Sequence, residues 1–282
     1  MKLTRWGPRG AEKPGLCDAK GRIRSLAGVI DDVRGDVLLP EALAKLAKLD
    51  PETLPLVGED VRLGACVGGV GKFLCIGLNY ADHAAESGMA VPTEPVIFDK
   101  ATSAIVGPND DVEMPRRGEK LDWEVELGVV IGKPAKYVEK SRAREHIAGF
   151  CVINDLSERR FQLEGTGQWI KGKSCDTFGP MGPWLVTKDE VRDPQDLAIW
   201  LEVDGRRFQN GNTRTMIFDV DYLVAYVSQF MSLQPGDVIS TGTPPGVGLG
   251  QKPDPIWLKV GQTMRLGIQG LGEQRQRVIA AP

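Results

Sequence analysis

Between residues 123 and 131 the sequence is apolar at almost every position, and only Glu124 and Glu126 bring charge into the run. A short run that is apolar on both faces predicts a β-strand covered on both sides. Alternate residues of a strand share a face, so both carboxylates would point the same way. Burying them together would cost several kcal/mol per ion. A bound divalent cation would relieve that cost, and the alternative is a half-exposed strand whose acidic residues face water.

Similar patterns predict the other elements of the chain from residue 70 onward. Strands are expected at residues 73–77, 95–99, 123–132, 149–154, 183–187, 198–204, 206–209, 237–241 and 263–269. Helices are expected after Asn79, after the potential N-cap Ser141, and over residues 219–233. This order of elements predicts a mostly β, α+β domain rather than a doubly wound parallel sheet.

The first 66 residues are predicted to form a small leading α+β module. Two short strands flank a turn at residues 18–21, and a helix begins near Pro40, a residue well suited to a first helical turn. Residues 50–55 have the composition of a linker. The predicted domains are therefore residues 1–66 and residues 67–282.

Composition narrows the class of protein. The chain has 282 residues, 41% hydrophobic and 26% charged, as in ordinary globular proteins, and its formal net charge of -3 argues against a nucleic-acid partner. No apolar run approaches the roughly eighteen residues of a membrane helix, and residues 1–10 contain no apolar core of a signal peptide. The five cysteines form no C-x-x-C pair, and an odd count fits reduced thiols in a cytoplasm.

The two histidines of the chain bear on catalysis and on the choice of metal. If Asn79 caps a short helix, His83 and Glu86 are neighbours at i and i+3, and a carboxylate beside an imidazole supports a general base. The alternative is a pair on the protein surface. With only one other histidine, His146, a His-rich zinc site is excluded, and Asp155 as a third oxygen ligand points to Mg²⁺ or Mn²⁺.

Basic and hydroxyl side chains follow the acidic ones along the chain. Ser157 is a candidate N-cap that would place Arg159 and Gln162 on one helical face near the proposed metal. Arg159 could bind a substrate carboxylate, or it could form a surface salt bridge. Lys171 and Lys173 are expected to be exposed by default. The turn at residues 241–246 could hold an anionic oxygen, although tight-turn chemistry alone would explain its glycines and prolines.

Five motifs in this order resemble the fumarylacetoacetate hydrolase family over about residues 70 to 280. They are Gly77-Leu78-Asn79-Tyr80 with His83 and Glu86, Asp122-Trp123-Glu124-Val125-Glu126-Leu127, Asn154-Asp155, Lys171-Gly172-Lys173, and Thr241-Gly242-Thr243-Pro244. The resemblance implies a mixed β-roll with few helices, usually a homodimer. It implies the metal ligands Glu124, Glu126 and Asp155, a His83–Glu86 dyad, and substrate contacts from Arg159, Gln162, Lys173 and Thr243.

The whole chain also resembles a subgroup that hydrolyses 2,4-diketo-3-deoxy sugar acids, such as the L-fuconate and L-rhamnonate derivatives. This implies hydrolysis of the C3–C4 bond of a 2,4-diketo acid to pyruvate and a second acid, which would be lactate for these substrates. His83 would activate water, and Lys173 would stabilise the oxyanion at C4. Hydrolysis of other acylpyruvates, oxaloacetate decarboxylation or tautomerisation, and lyase action on ureidoglycolate are the alternatives. The non-enzymatic alternative is a metal-stabilised binding protein.

Overall fold

The computed structural model describes residues 1–82 and 90–282. Its strands are β1 (Lys2–Trp6), β2 (Lys13–Cys17), β3 (Ile23–Ser25), β4 (Phe73–Gly77), β5 (Val96–Lys100), β6 (Ile105–Val106), β7 (Val112–Met114), β8 (Leu121–Asp122), β9 (Val125–Ile131), β10 (Ile147–Asn154), β11 (Ser157–Glu158), β12 (Gly179–Thr187), β13 (Ala198–Val203), β14 (Arg206–Asn212), β15 (Val238–Ser240), β16 (Thr263–Ile268) and β17 (Gly272–Ala280). The α-helices described are α1 (Pro40–Leu46), α2 (Arg159–Leu163), α3 (Trp169–Lys173) and α4 (Val220–Val227). The prediction of a predominantly β, α+β fold is confirmed. Within these residues, no helix combines the length and the apolar character needed to cross a membrane.

Two large sheets carry the architecture. The ten-stranded sheet has the order β3-β2-β1-β12-β10-β9-β15-β4-β5, with β6 paired to β12, and the five-stranded sheet has the order β14-β13-β16-β17-β7. Strand β9 lies in the interior of the larger sheet, antiparallel to both β10 and β15. Every residue of β9 is buried, as the apolar run predicted.

The two faces of β9 belong to different cores. Val125, Leu127 and Val129 pack into a cluster with residues of β13 and β16 from the five-stranded sheet. Val130 belongs to the second cluster, together with Leu3 of β1 and other residues of the leading segment. Because side chains alternate along a strand, Glu126 lies on the face of Val130 and away from the core between the sheets.

The leading segment adds strands to the same sheet. Strand β1 pairs antiparallel with β12, with Leu3 opposite Leu185, and β2 and β3 continue outward from β1. The helix expected near Pro40 is present as α1, with Pro40 in its first turn. The division of the chain into residues 1–66 and 67–282 stays a prediction.

The structure also differs from the sequence prediction, and three of the differences have a clear local cause. The helix expected after Ser141 is a 3-10 helix, Lys140–His146, without a side-chain cap at its start. Helix α4 ends at Val227 rather than at 233, because the main-chain oxygen of Ser228 accepts a bond from Tyr137 and not from a further helical turn. Strand β17 was not predicted, because a half-buried strand is recognised by apolar residues at its buried positions, and in β17 two of these positions are Gln274 and Gln276.

Candidate active site

Strand pairing brings the three predicted acidic ligands together. In the β9–β10 pair Asn154 stands opposite Val125, and Asp155 N donates to the main-chain oxygen of Glu124 at 2.8 Å. The carboxylates of Glu124, Glu126 and Asp155 each offer an oxygen within 4.8 Å of the others. These residues are 4%, 2% and 0% exposed, so the alternative of an acidic face in water is wrong.

Two buried lysines contact this acidic triad. Lys173 Nζ lies 2.5 Å from Glu124 Oε2 and 2.8 Å from Asp155 Oδ2, so its ammonium bridges two of the three carboxylates. Lys100 Nζ donates to Asp155 Oδ1 at 2.5 Å and to the main-chain oxygen of Leu156 at 3.0 Å. Burial alone would lower the pKa of Lys173, but the charges of Asp155 and Glu124 outweigh it and raise that pKa. Lys173 is therefore cationic at neutral pH.

Sequence reasoning missed Lys100. It is the last residue of β5, directly after the exposed Asp99, and is only 2% exposed itself. The alternation along the strand predicts that one of these two charged residues points inward. The sequence does not show which of them has a buried partner, because that partner, Asp155, is 55 residues away.

Glu126 is held by neutral donors. Among the described residues, Ser240 Oγ donates to Glu126 Oε2 at 2.5 Å and Gly242 N at 3.0 Å. Burial raises the pKa of Glu126 well above its ordinary value, and repulsion from Asp155 and Glu124 adds to the increase. A neighbouring multivalent cation would favour the ionised form of Glu126.

The turn after β15 was expected to hold an oxygen of a ligand, but it holds a carboxyl oxygen of the protein, Glu126 Oε2. Gly242, with φ of +95°, points its N–H at Glu126, and there is no room for a side chain because a Cβ would lie 2.8 Å from Asn79 Cβ. Thr243 Oγ1 donates to Val125 O at 2.9 Å and accepts from Gln209 Nε2 at 2.7 Å. Towards a substrate, the Thr243 hydroxyl can therefore only accept a hydrogen bond. Its substrate contact stays a prediction.

Arg159 lies inside the site and not in a surface salt bridge. Its guanidinium donates to Asp122 Oδ2 at 2.8 Å, to Glu124 Oε1 at 2.5 Å and to Gln162 Oε1 at 2.9 Å, and Arg159 is 6% exposed. Asp122 also accepts from the N–H of Gly248 at 2.6 Å. These bonds fix the guanidinium beside the triad, and its contact with a substrate carboxylate stays a prediction.

The N-cap of α2 differs from the prediction. Ser157 belongs to β11, where it pairs with Asp122, and its hydroxyl donates to Asp155 O at 3.1 Å. Glu158 is the N-cap instead, and its carboxylate accepts from Arg160 N at 3.2 Å. The predicted consequence nevertheless holds, because Arg159 and Gln162 bond to each other on one face of the helix.

The two lysines of α3 have different surroundings. Lys171 is exposed and donates to Thr166 Oγ1 at 3.2 Å, whereas Lys173 is 2% exposed. The residue between them lets α3 approach α2, since a Cβ on Gly172 would lie 2.5 Å from both Glu158 O and Gln162 N. The expectation of exposure is thus right for Lys171 and wrong for Lys173.

Replacing Gly172 with Ala is expected to destabilise the protein by about 1–3 kcal/mol, the usual cost of overpacking. Alanine stabilises a helix by about 1 kcal/mol relative to glycine. A net loss in the free energy of unfolding would therefore show that the steric clash outweighs this gain. Urea unfolding and kcat are the measurements, since separating the helices would also displace Lys173. Gly58→Ala is the control, because a Cβ there meets nothing within 4 Å. A stabilised Gly172→Ala variant would contradict the prediction.

The chemistry of the donor set fits a divalent cation. The described cluster contains more carboxylates than cationic groups: Asp122, Glu124, Glu126 and Asp155 against Lys100, Arg159 and Lys173. When all four carboxylates are ionised, as a bound cation would favour, one negative charge is left in excess. A cationic nitrogen already bridges two members of the triad, and the donors are all carboxylate oxygens, which suit hard cations. The predicted dyad, His83 and Glu86, lies outside the described residues.

The comparisons with known proteins show what class of protein this is. Residues 72–279 match the family model described as fumarylacetoacetate (FAA) hydrolase C-terminal. A curated relative from Burkholderia multivorans, named "Putative hydrolase", is 64% identical over 281 residues, which cover 100% of each chain. The chain therefore belongs to the fumarylacetoacetate hydrolase family, as the five motifs indicated, and is an enzyme of that family.

Solved structures agree with the fold. A fumarylacetoacetate hydrolase from psychrophilic Exiguobacterium antarcticum is 36% identical, with a TM-score of 0.87 and 100% of each chain covered. A maleylpyruvate hydrolase from Sphingobium sp. SYK-6 is 27% identical, with a TM-score of 0.83 and 100% of each chain covered. Both enzymes are named for oxo-acid substrates.

Proposed function

We propose that the protein is a metal-dependent hydrolase that cleaves the C3–C4 bond of a 2,4-diketo acid to pyruvate and a second acid. The observation that carries the proposal is the buried triad of Glu124, Glu126 and Asp155, whose three carboxylates lie close together and line one pocket. These residues would hold Mg²⁺ or Mn²⁺. When bound, the cation would supply Lewis-acid polarisation of the substrate's C1 carboxylate and C2 oxo group.

The remaining roles in binding and catalysis are assigned to other side chains. Arg159 and Gln162, locked together beside the triad, are assigned to the substrate carboxylate. Lys173 is assigned to the oxyanion that develops at C4, because it is a cationic residue that lines the same pocket as the triad. His83, with Glu86, is assigned to take a proton from the attacking water. Water adds to C4, the C3–C4 bond breaks, its electron pair remains on C3, and protonation of C3 gives pyruvate.

Two comparisons bear on the substrate. The similarity to a maleylpyruvate hydrolase favours an acyl group attached to pyruvate. The resemblance of the sequence to the sugar-acid subgroup favours substrates such as the 2,4-diketo-3-deoxy derivatives of L-fuconate and L-rhamnonate, whose cleavage would release pyruvate and lactate. A homodimer and a cytoplasmic location are proposed with this function.

A substrate screen tests the proposal. The purified protein is incubated with Mg²⁺ or Mn²⁺ and with a series of 2,4-diketo acids, oxaloacetate and ureidoglycolate. We expect pyruvate and an equimolar second acid from the diketo acids, and no such release after EDTA treatment. Conversion of oxaloacetate to pyruvate and carbon dioxide, with no cleavage of any diketo acid, would replace the proposal with decarboxylation. Urea and glyoxylate from ureidoglycolate as the only products would replace it with lyase action.

Replacing His83 with Ala is expected to slow diketo-acid hydrolysis by about 10²–10⁴-fold, the usual contribution of a positioned base. Decarboxylation of oxaloacetate needs no attacking water, so any such activity should survive. His146→Gln is the control, because Nδ1 of His146 lies 2.9 Å from the main-chain oxygen of Pro134 in a structural contact. An unaltered hydrolysis rate in His83→Ala would remove His83 from the mechanism.

A further inference from the structure

The pocket that the triad lines is also lined by apolar residues. Those that the structure describes are Ile76, Leu78, Phe98, Leu163, Trp169 and Leu249. Phe98 and Trp169 are the two aromatic members and form one continuous surface. Their ring centroids are 5.2 Å apart at an interplanar angle of 69°, the edge-to-face arrangement that aromatic pairs favour.

Both rings are held in place by residues of the site. Lys173 Nζ lies 5.1 Å from the centroid of the Phe98 ring, so the aromatic surface begins beside the nitrogen assigned to the oxyanion at C4. Trp169 packs over Gly77, where a Cβ would lie 2.8 Å from Trp169 Cζ3. The sequence therefore provides a bare backbone position for the indole ring. An aromatic surface fixed in this way is ready to receive the substrate without rearrangement.

The cations of the pocket are already assigned to the reacting end of the substrate. Among the lining residues that the structure describes, the cationic ones are Arg159 and Lys173, and both also form ion pairs with carboxylates of the site. A second carboxylate, at the far end of the acyl group, would meet the apolar residues instead. Burying an unpaired charge against such a surface is costly, whereas an apolar group gains by leaving water.

We infer that Phe98 and Trp169 determine specificity by binding the end of the acyl group, so that the enzyme prefers acylpyruvates whose acyl group ends in apolar carbon and disfavours those ending in a carboxylate. This inference rests on the proposed function, because it needs C4 of the substrate to lie beside Lys173. It agrees with the 6-deoxy sugar acids, whose acyl group ends in a methyl, and it distinguishes this enzyme from the maleylpyruvate hydrolase, because a maleyl group ends in a carboxylate. It extends the site from the reacting carbons to the acyl chain.

A matched pair of substrates tests the inference. Succinylpyruvate and 4-methylpentanoylpyruvate have acyl groups with the same chain length and the same number of non-hydrogen atoms, since two methyl groups of the second replace the carboxylate oxygens of the first. Acetylpyruvate serves as the short reference for the reaction itself. With Mg²⁺ present, kcat/KM for 4-methylpentanoylpyruvate is expected to exceed that for succinylpyruvate by at least about tenfold, the lower limit for one apolar group in a pocket.

Variants locate the preference on the aromatic surface. Trp169→Ala is expected to reduce the ratio of the two kcat/KM values by about tenfold, mainly through KM for 4-methylpentanoylpyruvate, and Trp169→Phe should restore most of it. Ile170→Ala is the matched control, because Ile170 is the next residue of α3, is 40% exposed and does not line the pocket. Its ratio should equal that of the unmodified enzyme.

The outcomes separate the inference from the proposed function. If acetylpyruvate is cleaved and succinylpyruvate is used as well as its apolar counterpart, the inference is overturned while diketo-acid hydrolysis stands. An unchanged ratio in Trp169→Ala also overturns it, because the preference would then arise elsewhere. If none of the three acylpyruvates is cleaved, the proposed function is contradicted, and the inference that rests on it is overturned with it.

Discussion

Replacing Glu126 with Gln is expected to abolish turnover that depends on Mg²⁺ or Mn²⁺. Glutamine keeps the shape of the side chain and can still accept the bonds from Ser240 Oγ and Gly242 N, so the main loss is one charge from the triad. Lewis-acid activation is worth several kcal/mol, and each ~1.4 kcal/mol is a factor of ten in rate. Turnover should therefore fall by at least about 10²-fold. Steady-state rates of EDTA-treated protein, titrated with each cation, measure the effect.

The control for this variant is Glu145→Gln, which removes a carboxylate that is exposed and paired with Arg142. Its rate and its cation dependence should match those of the unmodified enzyme. Full activity of Glu126→Gln without added metal would refute the cation assignment. Loss of activity in both variants would show an effect of net charge rather than of the site.

The pH dependence of Tm in the same variant distinguishes the effect of the Glu126 charge on stability from the effect of metal binding. Since the pKa of Glu126 is raised in the folded, metal-free protein, folding favours its protonated form. This contribution to stability is complete below the ordinary pKa of a glutamate, about 4.3, and is lost as the pH rises through the raised value. We expect Tm of EDTA-treated protein to fall with rising pH more steeply than Tm of Glu126→Gln. Added Mg²⁺ or Mn²⁺ should reverse the difference, because it binds the ionised form.

The sequence predicted the acidic part of the site because that part depends on local periodicity. The alternation at Glu124 and Glu126 requires only an extended backbone, and it holds although β9 begins at Val125 rather than at the predicted residue 123. Asp155 follows a second strand that was also recognisable. Antiparallel pairing of neighbouring strands is common, so their convergence followed from local patterns. The burial of Glu126 and Asp155, at 2% and 0% exposed, is consistent with this reasoning.

The parts that escaped prediction depend on contacts between distant residues. Lys100 could not be assigned because its partner Asp155 lies on another strand, and nothing in the local pattern distinguishes a buried lysine from an exposed one. Strand β17 was missed for a related reason. Its inward-facing Gln276 donates to the main-chain oxygen of Pro108, and a buried amide that is satisfied by a distant carbonyl has the sequence pattern of a surface residue.

Replacing Lys100 with Met is expected to destabilise the metal-free protein by about 3–5 kcal/mol. The side chain of Lys100 is 0% exposed, as is that of Asp155, and removing one member of a buried ion pair leaves the other charge uncompensated. Methionine fills a similar volume, so the loss reports charge and hydrogen bonding rather than a cavity. Urea unfolding of EDTA-treated protein measures it.

Lys171→Met provides the matched control for that loss. Lys171 has the same chemistry and is exposed, so its replacement should change the free energy of unfolding by no more than about 0.5 kcal/mol. A double variant, Lys100→Met with Asp155→Asn, should recover part of the loss, because it removes the charge left behind. A Lys100→Met protein as stable as the control would mean that Lys173 alone neutralises Asp155. Lys100 would then serve binding or catalysis, and kcat and KM of Lys100→Met would show which of the two it serves.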